Sequence, residues 1–129
     1  MPLFYSGQAN YIQAMNAASD EAFATTVAAT VGGTTTLDLS TGGSYFLNMG
    51  AGNTTLALTA PPTTAYKFTL YVKQNDGTLR SMTAWPSGTT WPAATAPTFT
   101  TGSGKVDIVE FRTINSGATW YARVVAQNY

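Results

Sequence analysis

Residues 66–74 read YKFTLYVKQ, and their side chains alternate in character along the chain. Every second position is apolar or aromatic, namely Tyr66, Phe68, Leu70 and Val72. In an extended strand, residues two apart point to the same side of the sheet. The pattern therefore predicts a strand that turns this face to a core and the face with Lys67, Thr69, Tyr71 and Lys73 outward.

Similar runs recur on both sides of this stretch, separated by Gly, Pro and Asn turn signals about every ten residues. The eight runs that we interpret as strands are residues 23–31, 34–40, 44–49, 54–59, 66–74, 79–85, 105–113 and 119–127. In the first of them, Phe23, Val27, Ala29 and Val31 fall on one face, which is the expected core face. Thr, Val and aromatic residues dominate these runs and favour strands over helices.

Two turns predict hairpins, Asn75-Asp76-Gly77 and Asn115-Ser116-Gly117, because Gly supplies the positive φ of a tight turn. Short connections of this kind favour antiparallel pairing. We therefore expect an all-β fold, an antiparallel two-sheet sandwich of jelly-roll type with about eight strands. A flattened barrel is the alternative.

Residues 1–21 lack the strand alternation and are rich in Ala, Gln, Asn and Met. Tyr11, Met15 and Ala18 have roughly helical spacing, which allows a short helix, and an irregular arm that orders against a neighbour fits equally well. The expected organisation is an N-terminal arm over residues 1–21 and one β-sandwich domain over residues 22–129.

Charged residues make up only 9% of the 129 residues, with six basic and six acidic side chains. Soluble domains typically have about 25%. So few cations form no patch for nucleic acid or for a membrane surface, and we expect neither as a partner. An uncharged surface is a solubility risk for a free monomer, so we expect partners or further copies of the chain to cover it.

The sequence has no His and no Cys, which removes imidazole and thiolate from any catalytic or metal site. A glycosidase pair would have to come from Asp38, Asp76, Asp107 and Glu110, and no aromatic-lined cleft is recognisable beside any of them. Asp107 and Glu110 are three apart on a predicted strand and so face opposite sides. We expect no enzymatic activity, no metal and no cofactor.

Four aromatic residues offer a possible stacking platform for a sugar ring, Trp85, Trp91, Trp120 and Tyr121. Tryptophan also buries a large apolar area, so core packing is the favoured interpretation for Trp85 and Trp120. Trp91 stands in a Pro-rich loop, where core packing and glycan binding remain equally open. It is the candidate glycan-binding residue.

The stretch from Thr34 to Tyr121 contains a distinctive series of segments. They are TTTLDLSTGGSYFLNMGAGNTTLAL, a Pro-Pro break, KFTLYVKQNDG, TAWPSGTTWP, APTFT, GKVDIVEF and ATWYA. The paired Trp-Pro elements, Gly-Lys-Val-Asp and the final Trp-Tyr are the most specific parts. This series resembles a module of tailed-bacteriophage virion proteins, found at the ends of tail fibres and in small capsid-decorating (cement) proteins.

The resemblance implies a viral structural role, usually as a homotrimer, and supplies no catalytic residues. About twenty residues precede the first strand, with no long shaft, which favours a cement protein on the outer capsid surface, assembled in the host cytoplasm. Its partners would be its own copies and the major capsid protein, which it would bridge. The arm residues expected to contact a neighbour are Leu3, Phe4, Tyr5, Tyr11, Ile12 and Met15. The alternative is a tail-fibre or adhesin module that binds host-surface glycans through Trp91.

Overall fold

The computed structural model of the protein describes residues 24–129, and within them it has nine strands and two short 3-10 turns. The strands are β1 Thr25–Ala28, β2 Thr34–Asp38, β3 Ser44–Asn48, β4 Thr54–Thr59, β5 Tyr66–Lys73, β6 Met82–Ala84, β7 Thr89–Thr90, β8 Val106–Thr113 and β9 Trp120–Ala126. The 3-10 turns are Leu39–Thr41 and Pro92–Ala94. Among these residues no helix is long and apolar enough to cross a membrane.

The strands form a large sheet in the order β1-β3-β5-β8-β9-β7 and a small sheet in the order β2-β4-β6. From β1 to β6, consecutive strands alternate between the two sheets, and each of β1 to β4 pairs in parallel with the strand two further along. The chain thus winds from sheet to sheet as a coil, which we call the parallel coil. Thr25, Tyr45 and Leu70 lie side by side on its three strands in the large sheet, β1, β3 and β5. β8 then runs antiparallel to β5, β9 runs antiparallel to β8, and the short β7 lies parallel to β9.

The structure is all-β with two sheets, as predicted, but the predicted antiparallel jelly-roll pairing is wrong for the first six strands. Each connection in this part crosses from one sheet to the other. The next strand in the same sheet therefore runs in the same direction as the last, and parallel pairs result. The large sheet is consequently mixed, with antiparallel pairs confined to β5, β8 and β9.

The two sheets share one core, to which the alternating faces of their strands contribute. Tyr45, Leu47, Phe68, Leu70 and Val72 from the large sheet are at most 1% exposed. Facing residues of the small sheet are Leu37 and Leu56, which are equally buried. The predicted core face of residues 66–74 is confirmed, except that Tyr66 at its start is only half-buried. Each such side chain contributes roughly 1.5–3 kcal/mol by leaving water.

An aromatic stack lies at the centre of this core. Phe68 on β5 and Phe111 on β8 are parallel, with ring centroids 4.7 Å apart and 5° between their planes. Trp120 on β9 meets Phe68 edge-on at 5.3 Å, and Tyr45 on β3 does so at 5.7 Å. Stacked and edge-to-face rings attract each other beyond their area burial, so the stack fastens four strands of the large sheet together.

The predicted hairpin at Asn75-Asp76-Gly77 is wrong, because β5 and β6 belong to different sheets. The Gln74 side chain donates to the Arg80 carbonyl oxygen at 2.8 Å and accepts from the Arg80 N–H at 3.0 Å. Arg80 also pairs with Asp76 at 3.2 Å. These contacts fold the connection onto itself and direct the chain to β6 in the small sheet. The second predicted hairpin, at Asn115-Ser116-Gly117, is confirmed by the β8–β9 pair.

Several predicted strands end earlier than expected. β1 stops at Ala28, and Val31, expected on the core face, is 54% exposed. β2 stops at Asp38, whose Oδ1 accepts from the Ser40 N–H at 2.9 Å and so opens a 3-10 turn. An Asp side chain that captures the N–H two residues on competes directly with sheet pairing.

Candidate functional site

A pocket of about 290 Å³ opens on the large sheet where β7, β8 and β9 meet. We call it the Trp91 pocket. Its lining residues are Thr90, Trp91, Pro92, Glu110, Arg112, Tyr121, Ala122 and Arg123. They come from β7, β8, β9 and the start of the Pro-rich loop, so the site depends on the antiparallel part of the sheet.

Strand register brings the polar members of the Trp91 pocket together. Arg112 on β8 lies directly opposite Tyr121 on β9, and Glu110 lies opposite Arg123. The residues between them, Phe111 and Ala122, point into the core, so these four point outward. The parallel pair of Thr90 with Tyr121 then sets Trp91 beside β9.

Glu110 is the centre of a charge cluster. Its Oε1 accepts from Arg123 Nε at 3.0 Å and from Arg112 Nε at 3.2 Å, and its Oε2 accepts from Arg112 Nη2 at 3.4 Å. Lys67 Nζ lies 4.0 Å from Oε2. Hydrogen bonds from Arg112, and then from Arg123, hold the pKa of Glu110 below its ordinary value, although burial acts in the opposite direction. The carboxylate is therefore ionised at neutral pH and serves to hold the two guanidinium groups in place.

Trp91 belongs both to the core and to the pocket. Its ring meets Trp85 edge-on at 4.8 Å and Phe111 at 6.0 Å, so the aromatic core fixes its orientation. The chain reaches this position through Gly88, whose φ is +83° and whose carbonyl oxygen accepts from the Trp120 N–H at 2.9 Å. A side chain on Gly88 would overlap the Ala118 carbonyl oxygen, so only Gly allows β7 to approach β9 so closely.

The four aromatic residues predicted as a stacking platform do not form a single surface. Trp120 lies in the core and is 2% exposed, and Trp85 packs against this core, so the core interpretation of both residues is confirmed. Trp91 and Tyr121 both line the pocket, and Tyr121 is 53% exposed. The pocket thus combines the exposed ring of Tyr121 with the charge cluster of Glu110, whereas the Trp91 ring packs against the core.

The other candidate carboxylates lie apart from the pocket. Asp107 and Glu110 face opposite sides of β8, as predicted, and Asp107 binds the loop and tail on the core side. Asp38 and Asp76 are held by Ser40 and Arg80 respectively. Within residues 24–129, no group of three or more acidic side chains gathers to hold a metal ion.

Sequence reasoning named Trp91 and weighed Tyr121 but missed the role of Arg112 and Arg123. The signal was available in the turn at residues 115–117. Counting outward from that hairpin pairs position 112 with 121 and position 110 with 123, which reveals an alternation of cation, anion and aromatic residues. The six arm residues, Leu3, Phe4, Tyr5, Tyr11, Ile12 and Met15, lie outside the described residues.

Comparisons with known proteins leave the geometry of this site as the main guide to its function: no family model, no curated protein and no solved structure matches the chain.

Proposed function

We propose that this chain is a non-enzymatic structural protein of a tailed-phage virion, which decorates the outer capsid surface and bridges capsid subunits. The resemblance of residues 34–121 to virion modules supports this role, and so does a surface with few charged side chains. Thr, Ser and Asn supply most of the polarity instead, which suits a protein that works in contact with other chains.

The observation that carries the proposal is an aromatic and apolar row on the outer face of the large sheet. Phe46, Tyr71 and Ile108 lie side by side on β3, β5 and β8. The Phe46 and Tyr71 rings are 6.3 Å apart and tilted by 34°. This row faces away from the core, and all three side chains are only half-buried. Interface centres are enriched in such residues and depleted of charge.

The mechanism is burial of interface area without chemistry. Copies of the chain meet as a homotrimer through the row of Phe46, Tyr71 and Ile108, and residues 2–18 contact the major capsid protein. A specific interface buries about 1,200–2,000 Å². Repetition over a particle multiplies weak single contacts into firm attachment.

The solution mass, measured by light scattering, tests the oligomer. We expect a trimer that survives deletion of residues 2–18, together with loss of incorporation into phage particles after that deletion. Tyr71→Lys places a charge in the row and is expected to give monomers. Thr63→Lys adds the same charge on an exposed loop and leaves the trimer intact. Monomers from both the full chain and the deleted chain, or normal incorporation without residues 2–18, would overturn the proposal.

A second function is favoured by the Trp91 pocket: binding of a host-surface glycan. Aromatic walls pack against the apolar face of a sugar ring, and the adjacent Arg and Glu side chains supply hydrogen bonds. On a glycan array, we expect binding that Tyr121→Ala and Trp91→Ala each abolish. Tyr129→Ala removes a tyrosine that is 67% exposed and lies outside the pocket, so it is the matched control and retains binding. An array without any signal for the unmodified protein contradicts this function.

A further inference from the structure

The Trp91 pocket carries an excess of positive charge. Lys67, Arg112 and Arg123 surround a single carboxylate, that of Glu110, and they are half of the six basic residues in the chain. Of these cations, Arg112 and Arg123 line the pocket, and one carboxylate neutralises one of them, so about one positive charge remains in the pocket and Lys67 adds another beside it. The nearest acid along β8, Asp107, lies on the opposite face and is engaged there.

The two arginines have N–H donors that Glu110 does not engage. Glu110 engages Nε of Arg123, and Nε and Nη2 of Arg112. A guanidinium has five N–H donors, and within residues 24–129 neither the terminal nitrogens of Arg123 nor the Nη1 of Arg112 have a hydrogen-bond partner, so these donors can serve a ligand. Both side chains are about 60% exposed, at 61% for Arg112 and 59% for Arg123. Because Glu110 already orients them, a ligand loses little entropy in arranging them.

Size and shape select the class of ligand. Ligand pockets span about 300–1,000 Å³. At about 290 Å³, the Trp91 pocket suits one sugar-sized ring. Tyr121, which is 53% exposed, presents a flat aromatic face to such a ring, beside guanidinium groups that pair with planar carboxylates.

We propose that the Trp91 pocket binds an acidic sugar, one that bears a carboxylate on its ring. Arg112 and Arg123 donate to the sugar carboxylate, and the ring packs against Tyr121, with Trp91 lining the pocket beside it. This inference rests on the glycan-binding function proposed above and names its substrate class.

Two sugars that differ in a single group test the inference, methyl β-D-glucuronide and methyl β-D-glucoside. Their affinities for the full chain are measured by NMR titration, following the Trp91 indole N–H. We expect the glucuronide to bind at least about tenfold more tightly, as charge-assisted hydrogen bonds predict. Arg123→Gln is expected to remove that preference by weakening the binding of the glucuronide more than that of the glucoside. Lys105→Gln removes the same charge outside the pocket and leaves both affinities unchanged.

The outcomes separate the inference from the function on which it rests. Equal affinities for the two sugars, or a preference for the glucoside, overturn the acidic-sugar inference while glycan binding stands. No binding of either sugar, together with a blank glycan array, overturns both. An acidic peptide that binds more tightly than the glucuronide, with the same dependence on Arg123, shows a protein ligand and overturns the inference as well.

Discussion

Replacing Phe111 by Ala is expected to lower the free energy of unfolding by about 4 kcal/mol. Phe111 is fully buried and stacks on Phe68. It also contacts Trp85 and Trp91 at ring distances of 6.0 Å. Removing the ring leaves a cavity whose walls cannot close, because the neighbouring aromatic side chains are held by separate segments of the chain. Total stabilities of 5–15 kcal/mol are usual, so the loss is a large part of the whole.

Urea denaturation followed by tryptophan fluorescence measures this effect through the midpoint and the slope of the transition. Ile114→Ala is the matched control, since Ile114 lies three residues along the chain and is 76% exposed. We expect that variant to remain within about 0.5 kcal/mol of the unmodified protein. Similar losses for the two variants would mean that Phe111 is not at the centre of the core.

Replacing Asp107 by Ala is expected to lower the free energy of unfolding by about 3 kcal/mol, because several N–H and O–H donors lose their acceptor at once. Asp107 is 2% exposed and accepts from the Thr100 N–H at 2.6 Å, from the Thr100 hydroxyl at 2.8 Å and from the Asn128 N–H at 2.9 Å. Gln127 Nε2 adds a fourth contact at 3.2 Å. The carboxylate thereby joins the loop before β8 to the chain after β9.

The contribution of Asp107 is also expected to depend on pH. Burial alone would raise its pKa, but hydrogen bonds from Asn128, Thr100 and Gln127 together hold the pKa below the usual 3.8. A carboxyl with a lowered pKa stabilises the fold fully above the unfolded-state pKa, about 3.9, and this stability is lost as pH falls through the folded-state pKa.

The comparison is therefore between the unmodified protein and Asp107→Asn, by urea denaturation from neutral pH downward. Their difference in unfolding free energy should be constant at neutral pH and shrink below about pH 4. Asp76→Asn, at an exposed carboxylate, is the control and should give a smaller difference at neutral pH. A difference between the unmodified protein and Asp107→Asn that does not change with pH would show that ionised Asp107 has no special role.

Side-chain periodicity predicted which face of β5 is buried, because that depends only on the residues two apart. It could not predict which strand pairs with which. The turn Asn75-Asp76-Gly77 has the same chemistry whether the chain returns beside β5 or crosses to the small sheet, and the contacts of Gln74 with Arg80 determine the crossing. The strand β7 was not predicted, because two residues in a Pro-rich loop show no periodicity. They form a strand through their pairing with β9.

The candidate site was predictable in part for the same reason. Trp91 is visible as an aromatic residue in a loop, whereas the cluster of Glu110 with Arg112 and Arg123 exists only after β8 and β9 pair. The parallel pairing of β1, β3 and β5 could not be predicted from the sequence, since no local signal relates Thr25 to Tyr45 or Tyr45 to Leu70.

The aromatic stack also sets the order in which a newly made chain can become a folded protein. Chains leave the ribosome from the N-terminus at about 5–20 residues per second, so the rungs of the parallel coil emerge first. Phe68 then stays exposed to water until Phe111 and Trp120 have been synthesised and can pack on it. Asp107 likewise cannot accept its hydrogen bond from the Asn128 N–H until that residue has been added. A chain released before that point keeps the apolar surface around Phe68 exposed to chaperones and proteases. Truncation before β9 is therefore expected to give chains that are degraded before they fold.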